Sequence, residues 1–113
     1  METKQVINLR GFDCLPEVEE KFTKWYGETH IPMLLKSGVI KQVTWFRRVG
    51  DAEDYPKYVV IYEFKDISAF NKYEASQELA AAIADTKRRW VAGGYESKWR
   101  VQYEVVQTWK GSG

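Results

Sequence analysis

Residues 57–64 read KYVVIYEF, a run whose β-branched and aromatic side chains fall on both faces of an extended chain. Such residues favour strands, and a strand that is apolar on both faces is expected to be covered on both sides. Residues 50–56 before it, GDAEDYP, are typical of a polar turn, and residues 39–49, VIKQVTWFRRV, form another strand-like run. We therefore predict a tight hairpin at the centre of the fold.

A helical pattern precedes this hairpin. Pro16 suits the first turn of a helix, and apolar residues recur from there at three-to-four-residue spacing as far as Met33. Pro32 lacks an amide donor and its ring crowds the carbonyl four residues back, so we expect a kink or restart over residues 28–31. Gly38 is expected in the left-handed position that ends the helix.

A second helical pattern follows the hairpin over residues 66–90. Asp66 or Ser68 can cap its start, and Ser76 can cap a second segment, so we expect a break near residues 75–76. Gly93 and Gly94 then end the helix.

The first and last strands of the sequence complete the pattern. They are residues 4–10, KQVINLR, which end at Gly11, and residues 99–109, WRVQYEVVQTW. The order β-α-β-β-α-β predicts one α+β domain over residues 1–113, with an ordered core of about residues 4–110. Its fold is ferredoxin-like, with two helices on one face of an antiparallel sheet.

The other face of this sheet is also expected to be apolar, because the strand at 57–64 has no polar face. A monomer rarely exposes so large an apolar surface. We therefore expect a homodimer, in which a second copy covers the sheet and the two sheets enclose a barrel-like core.

Composition excludes several classes of function. Seventeen basic and sixteen acidic residues are interspersed and leave a formal net charge of +1, so no nucleic-acid partner is expected. Cys14 is the single cysteine and His30 the single histidine, so neither a disulfide nor a metal site is expected. Neither an apolar signal segment nor a run of about 18 apolar residues is present, which predicts a cytoplasmic protein without a membrane partner.

Residues 22–38, FTKWYGETHIPMLLKSG, resemble the first-helix signature of the dimeric α+β barrel superfamily, in its EthD-like and related small bacterial branches. There an aromatic pair and a His-x-Pro precede the glycine that opens the second strand. The matching residues here are Trp25, Tyr26, His30, Pro32 and Gly38.

The resemblance implies a range of activities and therefore no single reaction. The superfamily includes cofactor-free monooxygenases, polyketide cyclases, muconolactone-type isomerases and haem-degrading enzymes. For haem it would imply an axial histidine on the second helix, and residues 66–90 contain none. We therefore expect no cofactor.

His30 is the candidate catalytic residue. Successive helical residues are about 100° apart around the helix axis. If Phe22 marks the centre of the apolar face, His30 lies on the flank of that face. An imidazole can act as acid or base at neutral pH because its unperturbed pKa is near 6.5. The alternative is a structural histidine bonded to a carbonyl that Pro32 frees.

A pocket also needs a few polar groups among apolar walls. Polar residues alternate along the first, second and last strands, namely Asn8, Arg10, Gln42, Thr44, Arg48, Arg100, Gln102 and Glu104. The candidate substrate-binding residues are Asn8, Tyr26, Tyr58, Tyr62, Arg48, Arg100 and Tyr103. Arg48 or Arg100 could hold an enolate or carboxylate, and the tyrosines could bond a phenol or carbonyl. The alternative for each polar strand residue is a solvated sheet edge.

These observations lead to two main functional hypotheses, and Asn8 on the first strand with the several tryptophans leaves a haem-handling protein as a third reading. The first is a cofactor-independent isomerase, cyclase or monooxygenase that acts on a small aromatic, lactone or polyketide-like molecule, with His30 moving a proton. The second is a non-catalytic ligand-binding or accessory dimer, in which His30 only secures the helix break.

Overall fold

A computed structural model describes residues 4–113. In chain order the elements are β1 (Val6–Cys14), α1 (Pro16–Trp25), a π-helical turn (Tyr26–His30), α2 (Ile31–Leu35), β2 (Ile40–Arg47), β3 (Tyr58–Phe64), α3 (Ile67–Glu74), α4 (Gln77–Arg89) and β4 (Tyr95–Glu104). The strands pair antiparallel in the order β2-β3-β1-β4. The predicted ferredoxin-like α+β fold is confirmed.

The core lies between the helices and one face of the sheet. Alternate residues of β3 point into it, because successive strand residues face opposite sides. Aromatic rings make much of this layer: Phe12 packs 5.4 Å from Phe22 of α1, and Phe64 packs 5.3 Å from Phe70 of α3. Both helical segments therefore cover the same face.

The predicted irregularity before Pro32 is a π-helical turn within an otherwise continuous helix. The Ile31 amide donates to the Tyr26 carbonyl, five residues back. A π turn contains about one residue more than an α-helical turn. It therefore changes the angular position, around the helix axis, of the residues after it. His30 and Leu34 are consequently buried, at 6% and 2% exposure, whereas the regular helix predicted from sequence left His30 on the flank.

The predicted break in the second helix is confirmed. The Asp66 side chain caps α3 by accepting from the Ala69 amide at 2.9 Å, and the Ser76 hydroxyl caps α4 by accepting from the Leu79 amide at 3.1 Å. Gly38, Gly93 and Gly94 follow helix ends with positive φ, as their positions predict.

Three sequence boundaries were wrong. β1 continues past Gly11, because a side chain there would collide with Trp99 and Pro56, and glycine leaves room for both. β4 spans Tyr95–Glu104 rather than residues 99–109, and its last paired residue, Glu104, lies opposite Val6, the first residue of β1. The central connection is a long loop over residues 48–57 rather than a tight turn.

The opposite face of the sheet has no helix over it. Ile7 pairs with Tyr103, Gly11 with Trp99, and Phe46 with Val59, so these side chains share that face. Large apolar groups are exposed on it, with Tyr103 at 56% and Phe46 at 47%. In the described part of the chain no helix is long and apolar enough to cross a membrane.

Candidate functional site

A row of polar side chains crosses the helix-covered face of the sheet. Asn8 of β1 lies directly between Tyr62 of β3 and Gln102 of β4. Asn8 is 1% exposed, and its Oδ1 accepts a hydrogen bond from Gln102 Nε2 at 2.9 Å. Its Nδ2 is buried without a hydrogen-bond partner. An unpaired buried donor costs about 1–3 kcal/mol, which makes Asn8 Nδ2 a candidate ligand-binding group.

Two tyrosine hydroxyls meet in the core, and one of them belongs to Tyr62, the strand neighbour of Asn8. Tyr26, from the π turn, and Tyr62 have their oxygens 2.6 Å apart. Burial raises the pKa of both phenols, that of Tyr62 well above its ordinary value. The Arg10 charge acts in the opposite direction on both. Because each hydroxyl is protonated at neutral pH, the pair keeps one O–H free to donate after one donates to the other.

His30 lies against this pair. Its ring centroid is 4.8 Å from that of Tyr26 and 5.0 Å from that of Trp25. Burial, and then the nearby Arg10 charge, lower the pKa of His30 to about 4, while Asp85 acts weakly in the other direction. The imidazole is therefore neutral at physiological pH.

Thr86 of α4 favours one of the two tautomers of the His30 imidazole. Its hydroxyl lies 3.5 Å from His30 Nδ1 and donates to the Ala82 carbonyl at 2.8 Å. Since the Thr86 proton is used there, the Thr86 oxygen faces Nδ1 as an acceptor, which favours the tautomer with the proton on Nδ1. Nε2, which makes no hydrogen bond within residues 4–113, is then the basic nitrogen. His30 is not bonded to a carbonyl freed by Pro32, which was its structural alternative.

Four of the candidate residues from sequence therefore come together: His30, Asn8, Tyr26 and Tyr62. We call these four, with Arg10, the His30 cluster. Arg10 follows Asn8 by two residues and so shares its face of β1. The cluster is a small polar island in an aromatic core.

The other candidates lie elsewhere. The Tyr58 hydroxyl donates to Glu19 at 2.7 Å, and Arg48 donates to the Tyr55 carbonyl in the β2–β3 loop. Tyr103 is on the open face. Arg100 faces the helices beside Arg10, but it is bound to Glu74 at 2.8 Å at the sheet edge.

Sequence reasoning did not select Arg10, Gln102, Thr86 or Tyr73. Arg10 and Gln102 were noted only as alternating polar residues, although the spacing of Arg10 from Asn8 could have linked the two. Burial raises the pKa of Tyr73 to about 12, and the Arg10 charge opposes that rise. The Tyr73 hydroxyl is therefore close enough to the cluster to be affected by Arg10. Nothing in a single sequence indicated that Thr86 would meet His30 from α4.

Within residues 4–113, no three His, Cys, Asp or Glu side chains are grouped so that they could hold a metal ion. Cys14 is a half-buried free thiol, and burial is the main reason that its pKa is raised to about 11. Such a thiol is a poor nucleophile at neutral pH.

Comparison with protein families gives one match, a model described as a domain of unknown function (DUF4286), which spans residues 11–95. The chain belongs to this family. The match includes the π turn, β3 and α4, and therefore most of the His30 cluster. No curated protein matches the chain.

Solved structures share the fold of this DUF4286 domain. A hydroxynitrile lyase from Passiflora edulis has a TM-score of 0.71 at 13% identity, over 96% of this chain and all of that one. An EthD family protein from Bacillus halodurans gives 0.64 at 18% identity, over 93% of this chain and 100% of the other. SnoaB from Streptomyces nogalater, a cofactor-independent oxygenase, gives 0.57 at 17% identity, over 96% and 97%. At identities below 25%, these likenesses show a shared fold alone.

Proposed function

We propose that the protein is a cofactor-independent enzyme that moves a proton on a small aromatic, lactone or polyketide-like molecule with a carbonyl or phenol oxygen. The observation that carries this proposal is the unpaired, buried Asn8 amide, whose strand neighbour Tyr62 bonds the tyrosine that His30 packs against. Isomerisation, cyclisation and oxygenation without a cofactor can all begin with loss of a proton from carbon or oxygen.

The cluster offers donors where negative charge would develop. Asn8 Nδ2 and the free tyrosine O–H can both bond an enolate or phenolate oxygen, and the charge of Arg10 favours it. These groups are fixed by the sheet and the π turn, so they need little reorganisation. A π turn within a longer helix is itself frequent at functional sites.

His30 Nε2 is the base in this proposal. The low pKa keeps it unprotonated at neutral pH. When it takes the proton, the anion that forms on the substrate stabilises the imidazolium and so raises the pKa of His30 again in the complex. Thr86 holds the tautomer in which Nε2 is free.

SnoaB and the Passiflora hydroxynitrile lyase support an enzymatic role, since proteins of this fold include a cofactor-independent oxygenase and a lyase. Their low identity provides no substrate. The substrate class above therefore rests on the donor and base groups of this chain.

A non-catalytic binding or accessory role is the second candidate, and one observation favours it. Among the surface cavities lined by residues 4–113 are three that His30 does not line. His30 is also 6% exposed and packs against Trp25 and Tyr26, so a ligand would reach it only if these rings moved.

Deuterium exchange tests proton transfer without knowledge of the final product. Aryl ketones, lactones and polyketide-like β-dicarbonyl compounds are incubated with the protein in D₂O, and loss of the acidic C–H signal is followed by NMR. We expect accelerated exchange for one class. His30→Gln should reduce the protein-dependent rate about 100-fold or more, the range typical of a lost general base.

Thr86→Val is the matched positioning variant. It should lower the exchange rate less than His30→Gln and weaken the preference for the Nδ1–H tautomer, which imidazole ¹⁵N shifts report. If compounds bind but none exchanges faster than in buffer, the binding role stands instead. If none binds, both candidates fail.

We also propose that a second copy of this chain covers the open sheet face. The supporting observation is a contiguous apolar face with exposed Phe46 and Tyr103, which is large for a monomer. Sedimentation equilibrium should give twice the 13.2 kDa chain mass. Ile61→Lys, at the centre of that face, should give the single-chain mass. A wild-type monomer at micromolar concentration would contradict the proposal.

A further inference from the structure

A groove lies between α1 and the end of α4, outside the His30 cluster. It has a volume of 420 Å³, within the range of small-molecule sites. The residues that line it are Val18, Lys21, Trp25, Arg89, Trp90, Ala92 and Gly93. Two indole rings and small aliphatic groups form its walls, and its only charged lining groups are the two cations.

A buried carboxylate positions one of those cations. Asp85 is 7% exposed, and both of its oxygens accept from Arg89 Nε at 3.0 Å. Trp25 Nε1 donates to the same carboxylate at 3.2 Å. Burial alone would raise the pKa of Asp85, but the bonds from Arg89 and Trp25 hold it below its ordinary value.

This arrangement uses only the inner nitrogen of Arg89. The terminal Nη1 and Nη2 atoms make no hydrogen bond within the described residues, although the guanidinium is held in place through Nε. A fixed guanidinium with free terminal nitrogens matches the two oxygens of a carboxylate. Lys21, which makes no ion pair among residues 4–113, adds a second positive charge on the opposite side of the groove.

We propose that the groove is a binding site for a small aromatic carboxylate. The carboxylate binds the terminal nitrogens of Arg89 and the Lys21 ammonium, and the ring packs on Trp25 and Trp90. A neutral aromatic lacks the charge that these cations need, and acetate lacks the apolar body that the walls need. This site is independent of the proton-transfer function, although Trp25 also contacts His30.

Indole N–H signals in a ¹H–¹⁵N NMR spectrum of the full chain test the proposal, since Trp25 and Trp90 both line the groove. The probe is phenylacetate, with phenylacetamide and acetate as matched controls for charge and ring. We expect saturable shifts of these two signals with millimolar phenylacetate, and at least about tenfold weaker binding of either control.

Two neighbouring arginines give a matched pair of variants, because both bind Asp85 but only Arg89 lines the groove. Arg89→Gln should weaken phenylacetate binding about tenfold or more, whereas Arg88→Gln should change it less than about twofold. His30→Gln should still bind phenylacetate, which separates this site from the proposed function. Equal loss in both arginine variants, or equal binding of the amide and the acid, would overturn the proposal.

Discussion

Two buried polar groups of this protein contrast sharply. Asp85 and His30 have almost the same exposure, at 7% and 6%. The Asp85 carboxylate accepts from Trp25, Arg88 and Arg89. His30 has one distant partner, Thr86, and Asn8 has an amide nitrogen with none.

The difference separates structure from function. A buried polar group with all its partners contributes to stability and orients its neighbours, as Asp85 orients Arg89. A buried polar group without partners costs stability, and native proteins retain few of them. In the proposed function, a ligand supplies the bonds that the His30 cluster lacks.

The largest expected effect is on acid stability. The pKa of His30 falls from an ordinary 6.5 to about 4 on folding, so the unfolded chain binds more protons between these pH values. The free energy of unfolding should therefore fall as pH drops from about 6.5 to about 4, by on the order of 3 kcal/mol in total. Urea unfolding at about pH 7 and about pH 4.5 measures most of it.

His30→Gln is the control, because glutamine stays neutral throughout. The variant should lose most of the pH dependence in this window. Asp85 and Glu19, whose pKa values are lowered in the fold from ordinary values of 3.8 and 4.5, lose their contributions as pH falls below about those values, so the range from about pH 6.5 to about pH 4.5 reports mainly His30. An unchanged pH profile in His30→Gln would show that His30 is not held neutral by burial.

The next largest effect on stability is expected from removal of the Asp85 carboxylate, which has all its hydrogen-bond partners. Asp85→Leu leaves Trp25 Nε1 without its acceptor and frees two arginines, which can turn to water. We expect a loss of about 2 kcal/mol in the free energy of unfolding, read from chemical denaturation. Asp85→Asn, which keeps an acceptor oxygen, should lose less. A neutral effect of Asp85→Leu would break the contrast with His30.

Removal of the unsatisfied amide should have the opposite sign. Asn8→Leu removes Asn8 Nδ2, a buried donor without a partner. Gln102, which donates to Asn8 Oδ1 in the wild-type protein, is exposed and can bond water instead. We expect a gain of about 1 kcal/mol in stability together with loss of proton exchange. A destabilised variant that still catalyses exchange would place Asn8 with the structural groups.

The smallest effect concerns the tyrosine pair. Tyr26→Phe and Tyr62→Phe each remove one member of a single hydrogen bond. A double-mutant cycle on unfolding free energies should give a coupling of roughly 0.5 kcal/mol. Additive losses would show that the two hydroxyls act separately, for example through water.

Much of the fold could be predicted because its signals are local. The apolar run of β3, Pro16 at the start of α1 and the caps at Asp66 and Ser76 each state a local preference. The end of β4 lies opposite the start of β1, and the continuation of β1 through Gly11 depends on how closely Trp99 approaches. Both strand boundaries depend on tertiary contacts, which a local stretch of sequence does not reveal.

The candidate site was predictable in part. His30, Tyr26, Tyr62 and Asn8 were chosen as polar or aromatic groups on suitable elements, and the structure brings them together. Tyr103 was misplaced because strand alternation does not say which face the helices cover. The burial of His30 could not be foreseen from the sequence. The predicted flank position assumes a regular α-helix, and the π turn changes the angular position of His30 around the helix axis.

The central claim is that the unpaired groups of the His30 cluster bind a ligand. A crystal structure of the protein purified from its natural source tests it most directly. We expect density for a small molecule with an oxygen within hydrogen-bond distance of Asn8 Nδ2 and its reacting atom near His30 Nε2. Aromatic side chains packed in contact around both atoms, with no ligand after soaking with the compounds that bind in solution, would contradict it.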